Sequence, residues 1–217
     1  MLSLGYDLGS SSIKCAVLDC ETGKTIAHGS YPPDEMQMQS PRPGWAEQDP
    51  ELWWRHVVAL TRHMVRENGI DAALIRSIGI SYQMHGLVLV DDRQQVLRPS
   101  IIWCDSRAVD IGRRMFDELG RDFCLKHLLN SPGNFTASKL RWVKENEPEI
   151  FKRVDKAMLP GEFVAMTRGT LPESSRGKAS PRNYWRWGPG GAPWWPGCAA
   201  RRCRNPRAPC CSSATWT

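Results

Sequence analysis

The sequence predicts an α/β domain over residues 1–170, and three observations lead to it. Three apolar strand patterns, Leu2–Asp7, Ile13–Asp19 and Thr25–Tyr31, follow one another with only turn residues between them. A long helical pattern with a legible start and stop comes next, from Asp49-Pro50 to Asn68-Gly69. An apolar strand, Ile75–Gln83, then precedes a mixture of helices and shorter strands. A meander followed by helices and further strands is neither strict βαβ alternation nor all-β. It suits the ribonuclease-H-like, actin-like layout.

Each element has its own reason. The Gly/Ser run after Asp7 turns the first strand into the second, and Glu21-Thr-Gly-Lys24 turns the second into the third. Residues Pro32 to Pro43 read as a loop. Asp49 is the helix N-cap, and Pro50 takes the first helical position, where its missing N–H costs nothing. Trp53, Val57, Leu60 and Met64 fall on one helical face, and Asn68-Gly69 ends the helix. Ile78, Ile80 and Tyr82 alternate along a strand expected to be buried. The segments Gly86–Val90 and Val96–Trp103 are expected to pair across the Asp91-Asp92 turn. Helices are expected over 106–119, 121–129 and 137–146, the last stopping before Pro148. A short strand, Ala157–Leu159, and a helix over 161–167 close the pattern.

Residues 171–217 have a different character, and the chain divides there into a domain of 1–170 and a tail. From residue 173 on the tail holds five Trp, six Pro and four Cys with almost no Ile, Leu or Val, and it has no helical or strand period. Trp and Cys are also rare in disordered segments, so an ordinary linker does not explain it. GC-rich DNA read out of frame yields this mixture, and the expectation is an irregular, non-native ending that begins near 167–175. A genuine Trp-rich interaction tail is the alternative. Residues 1–172 hold 21 basic and 22 acidic residues, so the formal charge of +6 belongs to the tail. The domain has no basic footprint for nucleic acid. No apolar run reaches the length of a membrane span and no secretion signal opens the chain, which leads to the expectation of a cytoplasmic protein without a membrane partner. Cys15, Cys20, Cys104 and Cys124 read as reduced, buried thiols, while the spacing of Cys198, Cys203, Cys210 and Cys211 is poor for zinc.

Four stretches hold residues with chemistry. In Asp7-Leu-Gly-Ser-Ser-Ser-Ile-Lys14 a strand ends in a carboxylate and turns through Gly9 and three hydroxyl residues, Ser10, Ser11 and Ser12. Successive N–H groups and hydroxyls in such a turn make an anion-binding concavity. A carboxylate beside it suits Mg²⁺, which takes carboxylate and phosphate oxygens. An ordinary hairpin is the plainer reading. Gln83-Met84-His85-Gly86 ends the Ile75–Gln83 strand and supplies hydroxyl partners, with Gly86 leaving room for a ligand. In Trp103-Cys-Asp-Ser-Arg107, Trp103 offers an apolar wall and Asp105 accepts hydroxyl protons, while Arg107 is either a pocket residue or a structural partner of Asp105. Gly44–Trp54 opens the long helix, and its Trp45 is a further cleft candidate.

The order of these stretches resembles the FGGY carbohydrate kinases, and within them the xylulokinases most of all. The residues that carry the resemblance are Tyr6–Ser12, Trp45–Pro50 with Trp53-Trp54, Gln83–Gly86, Leu97–Pro99 with Ile102–Asp105 and Arg107, Phe135–Ala137 with Lys139-Leu140 and Trp142-Val143, and Glu147–Phe151. It extends over residues 1–168. The resemblance implies an actin-like ATPase fold, of which this chain would be the incomplete N-terminal, sugar-binding domain of a two-domain kinase. It implies that Asp7 and Gly9–Ser12 face ATP phosphates and Mg²⁺, that Met84, His85 and Gly86 contact a ketose, and that Asp105 and Arg107 stand at the pocket. It implies transfer of the γ-phosphoryl group to D-xylulose, and an intact protein able to form a homodimer. The family's general-base Asp lies in a Gly-Gly-x-Asp segment with no counterpart here, so this chain alone is expected to turn over negligibly. Other pentulose or polyol kinases, a non-catalytic sugar-binding fragment, and an RNA- or protein-binding tail remain the competing readings.

Overall fold

The computed structural model describes residues 1–168 and, beyond them, the backbone strands Trp185–Trp187 and Pro193–Trp194. The rest of the tail, including its four cysteines, lies outside the described residues, and so does most of what the sequence led us to expect there. In chain order the elements are β1 (Leu2–Leu8), β2 (Ile13–Asp19), β3 (Thr25–Tyr31), β4 (Glu47–Gln48), α1 (Pro50–Glu67), β5 (Ile75–Tyr82), β6 (Val88–Val90), β7 (Ser100–Ile101), α2 (Val109–Leu119), α3 (Arg121–Phe123), α4 (Thr136–Asn146), α5 (Pro148–Phe151), β8 (Lys156–Met158) and α6 (Pro160–Arg168).

The meander forms as expected. β1–β3 are antiparallel, and β5 joins β1 in parallel, for an order β3-β2-β1-β5. Strand alternation turns Leu2, Leu4, Tyr6 and Leu8 of β1 and Ile13, Cys15 and Val17 of β2 to one buried face. α1 covers that face. Its Trp53, Val57, Leu60 and Met64 are all buried, as their spacing requires, and Phe163, Val164 and Met166 of α6 complete the core. The Asp49 cap holds: its Oδ1 accepts from Glu51 N at 2.9 Å. Gly69, at φ +58°, supplies the left-handed residue that ends the helix.

The structure departs from expectation in four places. β5 is half-buried rather than buried, because among the described residues it is an edge strand with β1 as its neighbour. The pairing across Asp91-Asp92 forms, through Val90 with Val96 and Leu87 with Ile101, but Arg98-Pro99 interrupts it. A proline cannot donate to a ladder, and beyond it Ser100–Ile101 pairs with β4, a strand the sequence reading missed. The expected 121–129 helix is the short α3 followed by a wider π-type turn over Cys124–Leu128, which ends at Leu129 with φ +60°. Cys15 and Cys124 are buried, but Cys20 and Cys104 are exposed, since both lie on loops at strand ends.

A second, smaller core holds Leu87, Leu89, Ile101 and Val143, with Trp142 and Phe151 packed around it. It joins β6, β7 and α4, and β6 pairs antiparallel with β8. Trp185–Trp187 pairs in turn along β8. No helix among the described residues is long and apolar enough to cross a membrane.

Candidate active site

The turn between β1 and β2 is closed by its own backbone. Gly9 N donates to Ser12 O at 3.1 Å, so this N–H shapes the turn and is not offered to a ligand, contrary to what the sequence suggested. A Cβ on Gly9 would stand 2.9 Å from Ser12 O, and that close approach explains the glycine. Asp7, half-exposed, lies at the mouth of the turn with Lys14 Nζ 3.6 Å away. Ser11 Oγ donates to Glu35 at 2.7 Å, and Ser11 O accepts from Met36 N, so the loop after β3 lies against one side. Among the described residues no cluster of three or more metal-ligating side chains exists. The single carboxylate of Asp7 nevertheless fits a Mg²⁺ that brings its other oxygens with it from phosphates and water.

The second loop follows β5. Met84 is two-thirds exposed, and His85 has a φ of +60°, uncommon for a residue with a side chain. The His85 ring stacks on Phe135, 5.1 Å between centroids and 20° between planes. Burial first, and then the charge of Lys139, hold the His85 pKa below the usual histidine value. The ring is therefore neutral at neutral pH, with one nitrogen to donate and one to accept. The space that Gly86 leaves is filled by Pro160: a Cβ there would stand 2.6 Å from Pro160 Cγ. Packing against α6 thus accounts for this glycine, where the sequence reading had assigned the room to a ligand.

The third loop follows β7. Trp103 is half-exposed, and its indole Nε1 donates to Ser10 Oγ at 3.3 Å. The wall expected to face a sugar is thereby adjacent to the turn expected to face phosphates. Asp105 and Arg107 come together, but with each other. Asp105 Oδ2 accepts from Ala46 N at 2.6 Å and from Arg107 Nη2 at 2.7 Å, and Oδ1 accepts from Arg107 N and Nε. Both side chains are sealed from solvent, and the Trp45 ring lies over the Arg107 guanidinium at 3.8 Å. Of the two readings left open for Arg107, the geometry favours the structural one, and Trp45 covers the pair rather than a cleft.

Five residues that only carried the resemblance in the sequence, Glu47, Gln48, Arg98, Lys139 and Glu147, prove to support the site. Glu47 bridges Arg98 and Arg107, and Glu147 takes the other side of Arg98 at 2.7 Å. Gln48, fully buried, donates to Ser10 O at 2.6 Å while its Oε1 accepts from Trp53 Nε1 and Gln83 Nε2. One amide therefore ties the β1–β2 turn, α1 and the end of β5 together. Lys139, also fully buried, lies under His85. A legible signal existed for it: Phe135, Lys139 and Val143 are four apart on one helical face, and a lysine at a core position demands partners. The buried oxygens Gln83 Oε1 and Asn134 Oδ1 have no partner, which leaves two acceptors beside these loops.

Comparison with known proteins bears on this arrangement. The description "FGGY family of carbohydrate kinases, N-terminal domain" matches residues 2–169. The chain belongs to the FGGY family of carbohydrate kinases. Its FGGY domain is 34% identical over 163 residues to the xylulose kinase of Escherichia coli (strain K12), across 75% of this chain and 32% of that protein. It is 36% identical over 168 residues to the xylulose kinase of Bacillus subtilis (strain 168), across 74% of this chain and 32% of the relative. The crystal structure of a xyloylose kinase from Brucella ovis superposes with a TM-score of 0.68 at 33% identity, covering 76% of this chain and 34% of that one. The chain thus spans about a third of the length of the relatives it matches. The actin-like expectation for the FGGY domain holds.

Proposed function

We propose that residues 1–168 form the sugar-binding part of an ATP-dependent xylulokinase, with D-xylulose held between the His85 loop and Trp103. The observation that carries this reading is the hydrogen bond from Trp103 to Ser10, which brings the sugar wall to the edge of the phosphate-facing turn. A hydroxyl resting against Trp103 then lies near the phosphoryl group it would accept, and in this reaction positioning supplies most of the rate. Met84 is exposed and His85 is half-buried beside it, and the neutral His85 ring offers a hydroxyl both a donor and an acceptor. The named activity of the relatives supports the ketose over glycerol or gluconate.

ATP would place its phosphates at Ser10, Ser11 and Ser12, with Asp7 holding Mg²⁺ directly or through water. The metal's charge would neutralise the phosphates. Asp7 would fix its place, and the hydroxyls would orient the nucleotide. Asp105 is committed to Arg107 and Ala46, so it is not the carboxylate that takes the hydroxyl proton. That acceptor belongs, on this reading, to the part of the relatives that this chain does not span. The purified 217-residue chain should bind D-xylulose in preference to glycerol and gluconate by saturation-transfer NMR, and His85→Ala should abolish the preference. Binding that ignores the ketose or is indifferent to His85 would sink the reading. ADP release with D-xylulose above background would contradict the placement of the proton acceptor.

A further inference from the structure

We infer that Lys139 is a positioning residue for the ketose site: its buried ammonium fastens the backbone of His85 and so sets where the imidazole stands. The inference rests on the sugar-binding reading above for its ligand, but the clamp itself rests on geometry alone.

Lys139 is completely buried, in the first turn of α4, in line with the N-cap residue Phe135 and with Val143. A charge in such a place must find acceptors or unfold its surroundings. Its Nζ donates to His85 O at 2.8 Å and to Asn134 O at 3.1 Å. The first acceptor belongs to a site loop, and the second to the turn just before α4. His85 has a positive φ, a conformation that persists only when its surroundings over-determine it. Asn134 donates through its side-chain amide to the carbonyl of Trp103. One turn before Lys139, Phe135 stacks on the His85 ring. The start of α4 thus holds His85 twice, by backbone and by ring, and reaches the Trp103 loop through Asn134. A side chain needed only to fill the core would be apolar here, as Val143 is four residues on. Lysine's reach and its three donors suit a task that a methyl group cannot perform.

The clamp does not touch the sugar, so its removal should act through His85. Lys139→Met keeps the volume and removes the donors. In the full chain it should move the ¹⁵N and ¹H signals of the His85 ring toward those of a solvent-exposed histidine and weaken D-xylulose binding roughly tenfold, the equivalent of one lost hydrogen bond. Val143→Ala, as deeply buried on the same helix, should lower stability while leaving the His85 signals in place. Lys139→Gln, which keeps a shorter polar head, should show a smaller shift in the same direction and serves if the methionine variant does not fold. His85 signals unchanged by loss of the lysine, or moved as far by Val143→Ala, would overturn the inference. Movement of His85 in a chain whose unsubstituted form binds no ketose would support the clamp and count against the sugar reading alone.

Discussion

The two loops that meet at Trp103 and Ser10 are built in opposite ways. The β1–β2 turn is closed by its own backbone: Gly9 bonds to Ser12, and Asp7 pairs with Lys14 across the hairpin. Its long-range bonds, to Gln48, Trp103 and the loop at Glu35-Met36, all fall on Ser10 and Ser11 at its exposed tip. The side proposed to hold the sugar is held from behind by residues far away in sequence. Lys139 is 54 residues from His85, and Arg98 is 49 from Glu147 and 51 from Glu47. On the proposed reading, a turn that receives a flexible, charged nucleotide tail gains from having its contacts at its exposed tip. A wall that must present a neutral ring to hydroxyl groups gains from being fixed beforehand. The difference predicts that damage to the buried supports is felt at the sugar and throughout the fold, while damage to the turn stays local.

The largest effect should come from Asp105→Ala. It leaves the Arg107 guanidinium, sealed under Trp45, with Glu47 as its remaining carboxylate, and should cost about 3–5 kcal/mol in denaturant unfolding. Replacing both members by apolar residues, Asp105→Leu with Arg107→Met, should recover most of that loss. Next is Gly86→Ala. Its methyl meets the Pro160 ring, and overpacking of this kind costs about 1–3 kcal/mol, visible as a lower denaturation midpoint even without ligand. Were the midpoint unchanged and only ketose binding lost, Gly86 would be a ligand residue after all.

His85 gives a smaller effect with a definite sign. Its folded pKa lies below the ordinary value of about 6.5, so as pH falls through that range the unfolded chain takes up the proton first. Stability from this group is complete above about pH 6.5 and is lost below it. Thermal melts between pH 7 and pH 5 should show a decline that His85→Gln reduces. Smallest of all is Ser11→Ala. It removes one exposed bond to Glu35 and should change stability by no more than about 0.5 kcal/mol.

The same division explains what the sequence made legible. The β1–β2 turn, α1 with its Asp49 cap, and the strand patterns of the meander are local, and their signals lie within a few residues of the features they specify. The loops at His85 and Trp103 were found because strand ends and ring-bearing residues mark themselves. Their supports were not, since nothing beside Lys139 announces His85, and nothing beside Arg98 announces Glu147. Asp105 and Arg107 are the opposite case: two polar residues at a strand end left a pocket and a structural pair both open, and burial under Trp45 favours the pair. β5 was taken as buried because alternation reports which side chains face a core, not how many strands lie alongside.

The central claim is that one domain presents two separate surfaces, a fixed one for the ketose and an exposed turn for phosphates. Backbone and side-chain NMR of the ¹⁵N-labelled 217-residue chain, titrated separately with D-xylulose and with Mg²⁺–ATP, tests it directly. The account predicts that the ketose moves Met84, His85 and the Trp103 indole while leaving Ser11 and Ser12 in place, and that the nucleotide moves Asp7, Ser11 and Ser12. Ketose-induced shifts centred on the β1–β2 turn, or none at His85 and Trp103, would contradict it.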